Sequence, residues 1–281
     1  MTSSGRGNAR FTVVTSTFNC AKALEQTAQS IRDQNYPNIQ WIVIDGASDD
    51  GTLEVIRNNS DIISNWQSEP DAGIYDAWNK SANLINGDWV LFMGAGDRFY
   101  SNDVLSTLGA KLSDIPPDCV LFYGNVQIEK PDGTPRYLSR KPDLDYWEFG
   151  RPALPHHQGV FSHSSLFKQK RPFDSSYRIA GDSKFLLGAL QHTTAFHIDI
   201  TVARMVDDGV SNTYQHILFT QDEIVRLCGE LCITVPFSQR ILSTMNRFLY
   251  YIAYRFLPGP VSKRVQKTMD RLRRITSGAT K

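Results

Sequence analysis

Long hydrophobic runs are missing from this sequence. No stretch of about 18 uncharged apolar residues occurs along the 281 positions, so no membrane-spanning helix is expected. Cysteine is scarce: there are only Cys20, Cys119, Cys228 and Cys232. The last two have CxxxC spacing without a second pair of ligands, which argues against zinc and points to reduced thiols in a cytosolic protein. Net charge is nearly absent, at +1 overall, and so gives no global electrostatic case for nucleic acid. No GxGxxG follows the first apolar strand, and Gly94-Ala95-Gly96 lacks the third glycine, so a dinucleotide-binding fold is not supported. A secretory leader is also not visible: residues 1–10 are polar and small and are expected to be disordered.

What is present is an alternation of strands and helices. Phe11–Thr17 is short, β-branched and apolar, as are Gln40–Asp45 and Asp88–Met93, and Asp61–Gln67 fits a further strand. Helical patterns fall between and after them, at Ala21–Asp33, Thr52–Asn58, Ile74–Ile85 and near Asn102–Leu112. Such alternation predicts an α/β fold with a mostly parallel central sheet flanked by helices, binding its ligand at the strand C-termini. The pattern changes after Pro116-Pro117. A hairpin is expected around Pro131-Asp132-Gly133, then a strand near Gly159–Ser162, a helix at Asp182–Leu190 and a strand at Ala195–Val206. From Gln215 onward the pattern is helical to the end, with a break at Pro258-Gly259-Pro260. The expected divisions are a disordered start at 1–10, an α/β half at 11–115, a second half at 116–214 and a helical, basic C-terminal appendage at 215–281.

Four segments concentrate polar chemistry, three of them at expected strand ends. They are Thr15-Ser16-Thr17-Phe18-Asn19, Asp45 through Thr52, Ser68 through Asn79, and Gly94-Ala95-Gly96-Asp97. In this order and spacing, VVTSTFN, VIDGASDDGT, SEPDAGIYDAWNKS and LFMGAGD closely resemble the family 2 glycosyltransferases, in particular bacterial polysaccharide-assembly members. The resemblance runs from about Phe11 to Ser211 and implies a GT-A fold acting on a nucleotide-diphosphate sugar, with 11–115 as the nucleotide-sugar-binding half and 116–214 as the acceptor-binding half.

Carried over by position, the resemblance puts Thr15 and Asn19 at the end of the first strand, against the nucleotide. It makes Asp45 an acceptor for the base, with the imide N–H of uracil favouring a UDP-sugar. Asp71, in the third segment with Glu69 and Tyr75, falls beside the donor, while Asp49 and Asp50 read as turn formers. Asp97 stands at the last position of the family's DXD-type motif. The chain departs from that motif, because Gly94, Ala95 and Gly96 leave one carboxylate. One carboxylate with diphosphate oxygens and water can still hold Mg²⁺ or Mn²⁺, with weak affinity before the nucleotide binds. A nucleotide diphosphate leaves readily once a divalent cation neutralises its growing charge.

An attacking hydroxyl also needs a base. Asp182 resembles the family's catalytic aspartate, which opens a helix after an FD..Y segment matched by Phe173, Asp174 and Tyr177; a helix N-cap is the competing reading. His156-His157-Gln158 resembles the family's HQ segment, which gives His157, and more weakly Tyr75, a place near the acceptor or the diphosphate. Zinc held by His156, His157 and His163 fits no standard spacing. A single base opposite a metal-held leaving group predicts inversion.

Ile241–Leu257 is aromatic and apolar, and Lys263, Arg264, Lys267, Arg271, Arg273 and Arg274 follow it against one acid, Asp270. This suggests a peripheral element on an anionic membrane at the inner cytoplasmic face, suited to a lipid-linked or other glycan acceptor; the alternative is a packed helical pair. A nucleotidyltransferase lacks support, because Thr15–Asn19 carries no glycine- and lysine- or arginine-rich loop. A nucleotide-sugar or membrane-surface binding module without catalysis is the remaining alternative.

Overall fold

A computed structural model of the chain describes residues 9–130, 132–139, 147–148, 150–206 and 214–256. Most of the expected disordered start, the Pro258-Gly259-Pro260 break and the basic segment Lys263–Arg274 lie outside the described residues. Two compact units divide the chain: Met1–Lys141 with Pro155–Asp207, and Pro142–Leu154 with Asp208–Lys281.

The first unit is built on one sheet. Its first half alternates as β1 (Phe11–Thr17), α1 (Ala21–Arg32), β2 (Ile39–Asp45), α2 (Thr52–Asn58), β3 (Ile63–Ser68), α3 (Ile74–Ala82) and β4 (Trp89–Phe92). A two-residue β5 (Arg98–Phe99), α4 (Val104–Lys111), β6 (Leu121–Glu129) and β7 (Pro135–Ser139) follow. The strand order runs β3-β2-β1-β4, with parallel pairing throughout this stretch. Both faces of these strands are covered, so Phe11 and Val13 are as fully buried as Thr12 and Val14. Leu24, Ala28 and Ile31 of α1 and Val104, Leu105 and Leu108 of α4 share one core with Phe11, Val13, Trp41 and Leu91.

The sheet continues past Pro117. β10 (Val160–His163) pairs antiparallel with both β4 and β6, and β11 (Ala195–Val206) runs parallel to β6 and antiparallel to β5. The sheet is thus parallel over β3-β2-β1-β4 and mixed beyond β4. Between β10 and β11, α5 (Gly181–Leu190) carries the candidate base. Its N-cap is Ala180 and not Asp182, which lies inside the first turn, so the N-cap reading of Asp182 is corrected.

The second unit contains the short pair β8 (Trp147–Glu148) and β9 (Arg151–Pro152), then α6 (Tyr214–Glu230) and α7 (Phe237–Phe256). Pro236 separates the two helices, a stop that a continuous helical reading of this region overlooks. Arg247 of α7 reaches Asp222 of α6 at 2.6 Å. Among the described residues, no helix is long and apolar enough to cross a membrane. All four cysteines are free thiols.

Candidate active site

Every site residue expected from the sequence falls in the first unit, but they play different structural parts. Thr15 is not at the end of β1. It lies two residues inside it, fully buried, and its hydroxyl accepts the Trp41 indole N–H at 3.0 Å. Its hydroxyl is thus engaged inside the sheet and not in the loop that follows β1. Asn19 does stand in the loop after β1, in a left-handed conformation with φ 47. Its backbone N–H donates to Ser48 Oγ at 2.8 Å, and its side-chain oxygen accepts the Asp49 N–H at 2.9 Å. Asn19 therefore splices the loop after β1 to the loop after β2.

Asp45 ends β2 and is fully buried. Its carboxylate accepts Ser48 N–H at 2.9 Å, Ser48 Oγ–H at 2.5 Å and Ser68 Oγ–H at 2.6 Å. A carboxylate offers about four acceptor positions, and the chain itself fills three of them. Each such charge-assisted bond is worth about 1.5–3 kcal/mol, so Asp45 is an anchor of the surrounding loops before it is anything else. Asp50 caps two helices at once, accepting Ala21 N–H at the start of α1 and Thr52 N–H at the start of α2. Asp71 packs against Gly46, so closely that a Cβ there would lie 2.8 Å from its carboxylate, and it accepts the Gly73 N–H at 2.9 Å. Asp45 and Asp71 thereby border one region at the C-terminal ends of β1, β2 and β3.

Asp97 closes the turn after β4. Its N–H donates to Gly94 O at 3.1 Å, while its carboxylate accepts the Gly94 N–H at 3.0 Å. Gly96 supplies the positive φ of 98 that this turn needs. Asp97 does not cap α4, whose N-cap is Asp103. Burial pushes the Asp97 carboxyl up to about 6, against the opposing pull of His157, the Gly94 N–H, the Gln158 side chain and Arg98.

His157 opens a 3-10 turn, His157–Gly159, just before β10. Its Nδ1 lies 3.4 Å from Asp182 Oδ2. Burial works against the charged imidazole, but the hydrogen bond to Asp182 and the charges of Asp182 and Asp97 raise its pKa overall. His157 thus feels both carboxylates. Trp78, Phe92, Phe173 and Phe185 line, with His157 and Asp182, a cavity of about 20 Å³, an aromatic floor with little room for the imidazole to turn.

Tyr75 lies in the first turn of α3. It is buried, and its hydroxyl donates to Ile179 O at 2.5 Å and lies 3.3 Å from Asp182 Oδ1. Burial first, and the Asp182 charge next, push that hydroxyl well above the ordinary tyrosine range. Gly181 rests directly on the ring, since a Cβ there would come within 2.7 Å of it. One turn further along α3, the Asn79 side chain accepts Phe173 N–H at 2.9 Å and donates to Phe173 O at 2.8 Å. Asp182 also accepts the Ser183 N–H at 2.6 Å. The Asn79 amide lock, the Tyr75 hydroxyl and the Gly181 contact were not read from the sequence; a small residue immediately before the candidate base was the only signal on offer.

Metal ligands are few. Among the described residues, no group of three or more His, Cys, Asp or Glu side chains gathers around one point. The Gln158 side chain acts on the Asp97 carboxyl and favours its ionised form. Gln158 is 6% exposed, and its side-chain oxygen has no hydrogen-bond partner. A buried acceptor left unpaired costs about 1–3 kcal/mol, so a ligand that satisfies it is favoured there. When bound, a divalent cation would neutralise charge on a departing diphosphate.

Loops at the C-terminal ends of parallel strands, a lone aspartate on a glycine turn, and a second aspartate at a helix start define a nucleotide-sugar transferase architecture. The chain belongs to glycosyl transferase family 2, whose profile matches residues 12–171. It is a glycosyltransferase, and the reading of a binding module without catalysis is set aside. It is 31% identical over 234 residues to an uncharacterised glycosyltransferase of Mycobacterium tuberculosis, covering 82% of this chain and 87% of that protein. It is 28% identical over 209 residues to a PGL/p-HBAD biosynthesis glycosyltransferase of Mycobacterium bovis, covering 72% and 79%. The fold matches the S. aureus TarS 1-349 structure in complex with UDP at a TM-score of 0.60 and 15% identity, over 87% of this chain and 72% of that one. It matches the mannosyltransferase PcManGT of Pyrobaculum calidifontis, in complex with GDP-Man and Mn²⁺, at 0.61 and 16%, over 98% and 76%.

Proposed function

We propose that this chain is an inverting glycosyltransferase that moves a sugar from a nucleotide diphosphate, a UDP-sugar before others, to a hydroxyl of a glycan or lipid-linked acceptor. The observation that carries the reading is the run Asp97, His157, Asp182: two carboxylates from different segments, both acting on one imidazole. The donor lies along the loops of Asn19, Asp45 and Asp71, with its diphosphate toward Asp97 and a Mg²⁺ or Mn²⁺ ion held there. Asp182 takes the proton of the acceptor hydroxyl while that oxygen bonds the anomeric carbon. The bond from the anomeric carbon to the diphosphate oxygen breaks in the same step, and the nucleotide diphosphate leaves with the bonding pair. Attack opposite the leaving group inverts the centre. His157 and Tyr75 act on Asp182 and hold its orientation.

The test is a panel of UDP- and GDP-sugars with Mn²⁺ and simple glycan acceptors, scored by nucleotide release and by the anomeric configuration of the product. Opposite configuration in donor and product is expected; a product that keeps the donor's configuration removes the single-displacement reading.

The second unit supports a peripheral place on the inner face of the cytoplasmic membrane. Along α7, Phe237, Ile241, Met245 and Phe248 recur at helical spacing and are exposed, Phe237 to 78% and Phe248 to 62%, with Leu242 and Leu249 beside them. Apolar side chains of this kind enter an interface while basic residues meet anionic headgroups. Removal of residues 237–281 is expected to leave a folded enzyme that sediments less with vesicles containing anionic lipid. Added salt should weaken binding of the intact chain, by screening. Equal sedimentation of both chains would assign α7 to a protein contact.

A further inference from the structure

The loop between β3 and α3, residues 69–73, carries Asp71 and is exposed at Glu69, Pro70, Ala72 and Gly73. Its entry is tied to β2 by the Glu69 N–H, which donates to Asp45 O at 3.0 Å. Its exit is Gly73, whose φ of 118 and ψ of 176 suit glycine alone. Between these ends the loop is held from one side, by α3. Helical side chains lean toward the helix N-terminus, and Lys80 therefore runs back along α3 toward the loop. Its Nζ donates to Pro70 O at 2.9 Å and meets Glu69 Oε1 at 2.9 Å. It also lies 3.8 Å from Asp76 Oδ2, and that oxygen accepts the Ala72 N–H at 3.2 Å. An ammonium only donates. Among the described residues, every polar partner of this one lies in the loop or in the first turn of α3. The Lys80 side chain is 17% exposed against 47% for Glu69, so the cation is the enclosed member of the pair. Asp71 is the residue so bracketed. One of its oxygens accepts the Gly73 N–H, and the other packs against Gly46.

We infer that Lys80 is a positioning residue for the donor, fixing the Glu69–Gly73 loop so that Asp71 faces the nucleotide-diphosphate sugar. This rests on the reading that lays the donor along the Asp71 loop, and adds to it the side chain that sets the loop. A loop ordered in advance loses little conformational freedom when its ligand arrives. Without the ammonium, the donor itself must order the loop. That penalty falls equally on the donor complex and on the transition state, so the loss appears in KM and not in kcat.

The test uses the full chain with Mn²⁺: kinetics on the UDP- or GDP-sugar it turns over, titration with UDP or GDP alone, and thermal unfolding as the check on folding. Lys80→Met keeps an unbranched stem and a good helix former while removing the ammonium. It is expected to raise the donor KM about tenfold, the worth of one charge-assisted hydrogen bond, with kcat at saturating donor within about twofold of the wild type. Lys80→Arg should restore most of the affinity, because a guanidinium also donates to a carbonyl and a carboxylate. In an Asp71→Ala background, Lys80→Met should add little, since the two residues act as one unit. A wild-type donor KM in Lys80→Met overturns the inference, as does a loss confined to kcat. Full additivity with Asp71→Ala overturns it as well, because Lys80 then acts by a route other than Asp71. If Asp71→Ala alone binds donor as the wild type does, the donor placement falls first and this inference with it. If Asp71→Ala weakens the donor and Lys80→Met does not, this inference falls alone. Should Lys80→Met fail to fold, Lys80→Gln, uncharged and shorter, is read by the same criteria.

Discussion

Asp182→Asn is expected to bind donor nearly as the wild type does and to transfer sugar about 10²–10⁴-fold more slowly, the range for loss of a general base. The substitution spares the local architecture. An asparagine oxygen can still accept the Ser183 N–H and face the Tyr75 hydroxyl, as Asp182 Oδ1 does. Only the ability to take a proton, and the negative charge near His157, are removed. The loss should therefore appear in kcat with little change in KM for the donor, the pattern of an interaction made in the transition state. Steady-state kinetics with donor saturation, and direct nucleotide titration of the variant, separate the two quantities. Near-wild-type transfer by this variant would remove Asp182 from the chemistry.

Asp97→Ala should abolish the metal-dependent part of turnover. A divalent cation on a leaving diphosphate supplies several kcal/mol of charge stabilisation. At about 1.4 kcal/mol per tenfold, that is a loss on the order of 10²–10³. The variant should also bind donor less tightly, because cation and diphosphate bind together. Burial that lifts this carboxyl to about 6 means the protein bears a cost to keep it ionised, and a cation beside it offsets that cost. The backbone turn is held by the Asp97 N–H to Gly94 O bond as well as by the side chain, so removal of the carboxylate leaves part of it in place. Turnover measured across a Mn²⁺ titration checks this; a variant that keeps the wild-type rate at limiting Mn²⁺ would refute the assignment.

The strands and helices were legible wherever an apolar run was long enough to bury itself. FTVVTST and QWIVID match β1 and β2 closely because each is buried on both faces. β5 was not legible: two residues, Arg98 and Phe99, have no period, and only the approach of β11 makes them a strand. The same limit governs the site. The ordered motifs placed Asp97 and Asp182 on a strand-end turn and a helix start, which is where they are. Motif order could not tell which way a side chain points. Thr15 and Tyr75 face inward because Trp41 needs an acceptor and Ile179 a donor, and those partners lie 26 and 104 residues away. The pairing of His157 with Asp182 was equally hidden, since the two meet only after β10 and α5 have packed.

The Asn79 amide lock has a consequence for the newly made chain. Phe173 is 94 residues downstream of the side chain that holds it, and Asp182 follows later still. During synthesis, the segments that form the loops after β1, β2 and β3 are made before Asp182 is added. Closing the longer loop adds little entropy cost by itself, since each doubling of loop length costs about 0.6 kcal/mol. The time elapsed is what matters. On the reading proposed above, a nascent chain carries the Asn19, Asp45 and Asp71 loops before it carries Asp182, and its base is the last of these to be added.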